Sequence, residues 1–416
     1  MINNICAKKY TDYSWDFRKE NTKGNTHCLH SYPAMMIPQI ANRLLENYAT
    51  HANLLFDPYC GTGTSLVEAN LKNINAVGTD LNPLARLIAK VKTTIIDLNR
   101  LSESISNFLT LINNRSFNIA NIERPDFNNI NYWFDERVLN KLMIIKSFIK
   151  TIENVEIQNF YNVAFSETIR ESSWTRNGEF KLYRMNEKQI SKFEPKVFEL
   201  MINKLHRNYN GLKEYTLNLK GNAKSIIYDF NSVDYLPVNL INNVDIVLTS
   251  PPYGDSRTTV AYGQFSRLAN QWLDISEASK IDNMLMGGSK SKEFNKFEFF
   301  ILNDVIKEIA QIDNKRALEI NSFYYDYYSS IKNVAKTIKS KGYACYVVGN
   351  RTVKGITLPT DEITINFFEM NGFKHIETII RNIPNKRMPA KNCPTNIKGK
   401  KSTTMLNEYI VVLQKD

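Results

Sequence analysis

A short apolar run, Leu54-Leu55-Phe56, ends in Asp57-Pro58-Tyr59-Cys60-Gly61-Thr62-Gly63-Thr64, and Ser65 to Leu71 continue as the start of a helix. Two glycines one residue apart, at a strand end and a helix start, let the backbone approach a ligand closely. The helix N-terminus adds free N–H groups and a positive dipole end suited to a carboxylate. A second strand, Ala76 to Asp80, follows, and Asn82-Pro83 opens the next helix. Strand–helix–strand–helix in this order begins an open α/β sheet.

The sheet pattern is interrupted and then resumes. A helix over 35–47 precedes the first strand, with Ile37, Ile40 and Leu44 on one face. From 97 to 220 helical periodicity dominates: Val138, Leu142, Ile145 and Ile149 follow Asp135, and Val197, Met201 and Leu205 follow Pro195. Strand signals return at Ser225–Asp229, Val244–Leu248, Tyr343–Val348, His375–Ile380 and Tyr409–Leu413. A helix over 324–340 is expected to stop at Gly342, and one over 361–370 at Asn371-Gly372. The organisation expected is an N-terminal half of the core over 1–96, a helical insertion over 97–220, and a C-terminal half of the core over 221–416 with a smaller insertion at about 274–322.

The chain has 416 residues, enough for two or three lobes with a real core. It carries 53 Lys and Arg against 42 Asp and Glu, a net charge of +11. A surplus of that size suits a polyanionic partner, nucleic acid first, though a basic soluble enzyme would show it too. No apolar stretch approaches the roughly 18 residues of a membrane span, and the N-terminus has no apolar signal core. Five scattered cysteines argue for a reducing cytoplasm rather than a disulfide framework.

Asp80 ends the second strand, where a carboxylate can accept hydrogen bonds from both ribose hydroxyls of a nucleoside. Leu66 occupies the place of the third glycine of a dinucleotide fingerprint, which favours a single nucleoside without pyrophosphate. Thr249-Ser250-Pro251-Pro252-Tyr253 stands at the carboxyl end of another strand, where open α/β sheets place their ligands. The prolines stiffen the loop, so a hydroxyl and a carbonyl can both accept from one exocyclic amino group, and Tyr253 can stack on a planar base.

Taken together these motifs resemble the S-adenosylmethionine-dependent DNA amino-methyltransferases, most closely the cytosine-N4 branch of bacterial restriction–modification systems. His30-Ser31-Tyr32-Pro33-Ala34-Met35-Met36-Ile37-Pro38 is similar to that family's N-terminal cofactor-side motif, and Asp229-Phe230 to its third-strand motif beside the adenine. The resemblance covers 27–95, 221–272 and 323–416. It implies an α/β fold, a Rossmann-like seven-stranded methyltransferase sheet with a helical insertion domain. It assigns S-adenosylmethionine to Tyr32, Pro33, Asp57, Pro58, Tyr59, Gly61, Gly63, Thr64, Asp80, Leu81, Asp229 and Phe230. Catalysis falls to Ser250, Pro251, Pro252 and Tyr253.

The implied substrate is cytosine N4 in duplex DNA. The base leaves the helix stack, and the Ser250 hydroxyl and Pro251 carbonyl accept its two N–H bonds, so the nitrogen lone pair can point at the methyl group. Adenine N6 is the alternative base; that branch usually carries Asp where Ser250 stands here. A DNA-binding specificity protein without catalysis is the more remote alternative. No cysteine stands directly after a proline, as C5 methylation would require, and His27-Cys28 and His30 lack a second ligand pair for zinc. Two basic stretches, Arg170–Arg184 and Arg381–Met405, suit phosphate contacts or are ordinary surface loops. The DNA-contact candidates are Arg170, Trp174, Arg176, Arg184, Arg257, Arg267, Lys386 and Arg387. Target recognition is expected in the 97–220 insertion, with 274–322 and its Gly287-Gly288 as competitor. The expected setting is the cytoplasm of a bacterium, with a cognate restriction endonuclease encoded nearby as a possible partner.

Overall fold

The computed structural model describes residues 8–114, 119, 122–255, 259–276, 278–288, 291–383, 391–392, 402–403 and 405–416. Its centre is an eight-stranded sheet. The strands are β1 (Lys9–Thr11), β2 (Leu54–Asp57), β3 (Asn75–Thr79), β4 (Ser225–Tyr228), β5 (Val244–Thr249), β6 (Ile338–Val348), β7 (Phe373–Asn382) and β8 (Asn407–Lys415). Their order across the sheet is β1-β7-β8-β6-β5-β2-β3-β4. All neighbours are parallel except β8, which runs antiparallel to both β6 and β7.

Seven of these strands are the seven the sequence predicts. The eighth, β1, is a three-residue edge strand beside β7, with Lys9 opposite Thr378. Its Lys-Tyr-Thr sequence has no apolar alternation to betray it. Lys9 Nζ fixes it by reaching the buried Asp361 at 2.6 Å.

Strand alternation sorts the core into two faces. Leu55, Ala76, Ile246, Leu248, Cys345 and Val347 pack beneath α1 (Pro38–Tyr48) and α2 (Thr64–Leu71). Phe56, Val77, Val247, Ala344 and Tyr346 face the other way, against α9 (Phe300–Ile312), α10 (Asn314–Thr337) and α11 (Thr360–Glu369). The 97–220 segment supplies α4 (Leu98–Asn114), α5 (Glu136–Lys150), α6 (Val155–Ser172) and α7 (Val197–Asn218). These share one apolar cluster with α3 (Pro83–Thr93) and α8 (Tyr262–Trp272), through Leu84, Ile88, Phe265 and Trp272.

The predicted helix 324–340 is corrected at both ends. It begins at Asn314, because Asp313 caps it by accepting from Arg316 N at 3.0 Å. It ends at Thr337 and passes directly into β6. Gly342 is therefore no helix cap. It lies within β6, where a Cβ would stand 2.8 Å from the Asp245 carbonyl of the neighbouring strand.

From β2 the chain steps outward through β3 to β4, then returns to the far side of β2 as β5. The carboxyl ends of β2 and β5 diverge at this reversal, which is where α/β sheets open a crevice. Asp57 and Thr249, the last residues of the two strands, meet there: Thr249 Oγ1 donates to Asp57 Oδ1 at 2.6 Å.

Candidate active site

Asp57 is buried and holds the turn after β2. Besides Thr249 it accepts from the Tyr59 amide at 3.0 Å and from the Ser65 hydroxyl in the first turn of α2. Burial pushes its carboxyl up to about 6 against the pull of these donors. Between Asp57 and α2 the chain turns through Gly61 and Gly63, at φ +49° and +78°. Both lie in the left-handed region that glycine adopts without steric cost. Asp80, just past β3, accepts from Gly61 N at 3.1 Å and from Asn82 N at 2.7 Å. Burial raises its pKa as well. A carboxylate has about four lone-pair sites, so two remain for a ligand.

A cavity of about 120 Å³ opens at this point. Of the residues assigned to the cofactor, Tyr32, Pro33, Asp57, Pro58, Tyr59, Gly61, Thr64, Asp80, Leu81 and Phe230 line it. Gly63 stands behind the wall as the residue preceding α2. Asp229 is exposed and off the wall, because β4 ends at Tyr228 and the next inward position is Phe230. Ser250 and Pro252 line the same cavity, so the two ends of the sequence pattern form one site. Pro251 is buried beneath them. Tyr253 is half-buried beside the cavity rather than on its wall.

The Ser250 hydroxyl lies 3.1 Å from the Val347 carbonyl, to which it can donate, and 3.2 Å from the Tyr253 hydroxyl. With its proton on Val347, its lone pairs are left to accept from a donor in the cavity. Tyr253 donates in turn to Glu408 Oε1 at 3.1 Å. Glu408 forms an ion pair with Arg381, which is 4% exposed and donates through Nε to the Trp15 carbonyl at 2.8 Å. Arg381 is thus built into the core of the site and is no phosphate contact, although it opens a basic stretch in the sequence. Burial and the facing Glu408 hold the Tyr253 phenol well above its usual pKa.

Met35 and Met36 of the N-terminal motif and Tyr262 at the start of α8 also face the cavity, as do Asn82, Leu285 and Met286, which sequence reasoning missed. Asn82 Nδ2 donates to the Tyr32 hydroxyl at 2.8 Å and lies 3.0 Å from Ser266 Oγ, joining the N-terminal segment to α8. Tyr262 stacks on Tyr32, with ring centroids 5.9 Å apart. Leu285 and Met286 come from the smaller insertion. Next to them Gly287 N donates to Asp326 at 2.9 Å, so this stretch of the competing recognition candidate is tied down as a wall.

The DNA-contact candidates are distributed differently from the expectation. Trp174–Met185 folds back on itself, with Arg176 N donating to Tyr183 O and Met185 N to Trp174 O, both at 2.8 Å. Arg176 is exposed at its tip. Arg184 is half-buried over the rings of Tyr132 and Trp174 and also reaches Glu187. Arg170 is a correction: it is 8% exposed, stacks on the buried Phe265 and donates to the carbonyls of Phe265 and Glu179. It points inward because it lies on the face of α6 that meets α8, so it leaves the set of phosphate ligands. Arg267 is half-buried on α8. Arg257, Lys386 and Arg387 lie outside the described residues.

Among the described residues no cluster of His, Cys, Asp and Glu could hold a metal ion, and no helix is long and apolar enough to cross a membrane.

No protein-family model matches the chain. It is, however, 40% identical to the type II methyltransferase M.MvaI of Kocuria varians, over 96% of this chain and 93% of that one. The type II methyltransferase M.MjaII of Methanocaldococcus jannaschii is 32% identical over 25% of this chain and 20% of its own. Among solved structures, the rRNA methyltransferase aviRa from Streptomyces viridochromogenes covers 93% of this chain and 88% of its own, at 10% identity and a TM-score of 0.33. An open α/β sheet with a glycine turn at its switch point, and the nearly full-length match to M.MvaI, define a methyltransferase. The chain belongs to the type II methyltransferase family.

Proposed function

We propose that the protein transfers a methyl group from S-adenosylmethionine to the exocyclic N4 amine of cytosine in duplex DNA. In this reading it works in the cytoplasm as the protective partner of a restriction endonuclease. The observation that carries the proposal is the placement of Ser250 in the same cavity as Asp80 and the glycine turn.

The cavity fits a nucleoside cofactor. Gly61 and Gly63 keep side chains out of the turn, the first amides of α2 suit a carboxylate, and Asp80 offers lone pairs to two ribose hydroxyls. When bound, the cofactor supplies the methyl group as the electrophile. Ser250 Oγ and the Pro251 carbonyl accept the two amino N–H bonds and draw the nitrogen lone pair out of conjugation with the ring. Pro252, Leu285 and Met286 provide apolar walls that keep water away from the reacting nitrogen. Ser250 in place of an aspartate favours cytosine over adenine.

Duplex DNA is supported by the net charge of +11 and by the exposed Arg176 hairpin. Lys386 and Arg387 remain phosphate ligands in this reading. The test is calorimetry with S-adenosylmethionine, followed by transfer of its labelled methyl group into duplex DNA. Absence of binding, or transfer to RNA alone, contradicts the proposal.

Asp80→Ala is expected to weaken cofactor binding by about 1.5–3 kcal/mol, the worth of charge-assisted hydrogen bonds to the ribose. Calorimetry on the folded variant checks this, and an unchanged affinity would remove Asp80 from the site. Arg176→Ser should lower the slope of log affinity against log salt by about 0.9, one phosphate contact. Arg170→Lys should leave that slope unchanged, since the side chain is buried; titrations at several salt concentrations compare the two.

A further inference from the structure

Methylation of an amino nitrogen leaves it with one proton too many, and the catalytic loop contains no obvious base to take it. We infer that Glu408, on β8, is the terminal acceptor of that proton, reached from Ser250 through the Tyr253 hydroxyl. The inference rests on the placement of the target amine at Ser250.

The geometry is a continuous chain of hydrogen bonds. Ser250 Oγ lies 3.2 Å from Tyr253 Oη, and Tyr253 Oη lies 3.1 Å from Glu408 Oε1. Tyr253 and Glu408 are 155 positions apart in sequence, so the contact is made by the sheet and not by local structure. Arg381 holds the second Glu408 oxygen and is itself fixed by the Trp15 carbonyl. Its neighbour Asn382 donates through its amide to Asp16 at 2.8 Å. The carboxylate is therefore aimed at Tyr253 by two layers of buried contacts. Its side chain keeps 17% exposure, which gives the proton a way out to solvent.

The nitrogen lone pair would form the new nitrogen–carbon bond while the methyl's bond to the bound cofactor's sulfur breaks with its electron pair left on sulfur; one N–H bond then breaks and its electron pair returns to nitrogen. The proton goes to Ser250 Oγ, the Ser250 proton passes to Tyr253 Oη, and the Tyr253 proton passes to Glu408. Serine and tyrosine end as they began, and one proton is gained by Glu408 and lost to water. A methylated ammonium on an aromatic ring is a strong acid, so a carboxylate suffices. Val347 O and Tyr253 Oη both lie within 3.2 Å of Ser250 Oγ, so the Ser250 proton turns from the first to the second by a small rotation.

The test uses Tyr253→Phe, which leaves the Glu408–Arg381 pair intact, together with Glu408→Gln, the double variant and Ser250→Ala. Each is measured for single-turnover methyl transfer, for cofactor and DNA affinity, and for melting of the free protein. The expected result is a loss of about a hundredfold in rate for each relay variant, with both affinities within about twofold of the parent. The double variant should be no slower than either single one, and the two melting shifts should be non-additive, as for groups in contact. Full-rate transfer by Tyr253→Phe, with Ser250→Ala inactive, overturns the relay and leaves the proposed function standing. Full-rate transfer by Ser250→Ala overturns both. Additive rate losses accompanied by weakened cofactor binding would assign Glu408 a structural role and also overturn the relay.

Discussion

Ser250→Ala is expected to slow single-turnover methyl transfer by about a hundredfold to a thousandfold, the size of effect seen when one fixed polar contact to the reacting group is lost. Ser250 lines the cavity, and its Oγ is held by Val347 and Tyr253. Removing it should leave the loop in place, because Pro251 stays buried and Thr249 still donates to Asp57. Cofactor affinity should therefore stay within a few fold, since the proposed cofactor contacts are made by Asp80 and the glycine turn rather than by Ser250. Rapid-quench kinetics with calorimetry separates the two quantities. A parallel loss of both would mean that Ser250 shapes the pocket and does not act on the amine.

Asp57 should matter most for stability. Its carboxylate joins β2, β5 and α2 through the Thr249 hydroxyl, the Ser65 hydroxyl and the Tyr59 amide. Asp57→Ala strands two buried hydroxyls and is expected to cost about 2–3 kcal/mol in denaturant unfolding. The pH dependence has a definite sign. The folded carboxyl titrates at about 6, above its ordinary 3.8, because burial penalises the charge. Between those values the folded chain binds the proton more tightly than the unfolded chain. The contribution of this group is complete at low pH, falls as pH rises towards 6, and is flat above that. A shift of this size corresponds to about 3 kcal/mol. Asp57→Asn should abolish that slope while keeping an acceptor for Thr249 or Ser65. Identical pH profiles for parent and Asn variant would contradict the burial of the charge.

What could be read from the sequence was what is local in it. Asp57 to Thr64, Asp80 and Ser250 to Pro252 each act within one strand end, so their motifs survive without knowledge of the fold, and they do converge on one cavity. Glu408 was not legible, because its role depends on β8 lying between β6 and β7, and no local pattern encodes that order. Leu285 and Met286 were hidden for the same reason: an insertion folds back over the site. Arg170 misled because charge in a sequence does not say which way a helix faces. Arg176, a few residues on, is on the surface, while Arg170 is buried and stacked on Phe265. Gly342 misled in another way, since a glycine after a helical pattern resembles a cap, and here it answers to the close approach of a neighbouring strand.

The most direct measurement is mass spectrometry of the nucleosides released from duplex DNA after incubation with the protein and isotopically labelled S-adenosylmethionine, with Ser250→Ala alongside. Labelled N4-methylcytosine formed by the parent, and lost in the variant, is the predicted result. Labelled N6-methyladenine, or N4-methylcytosine formed equally by Ser250→Ala, would contradict the account.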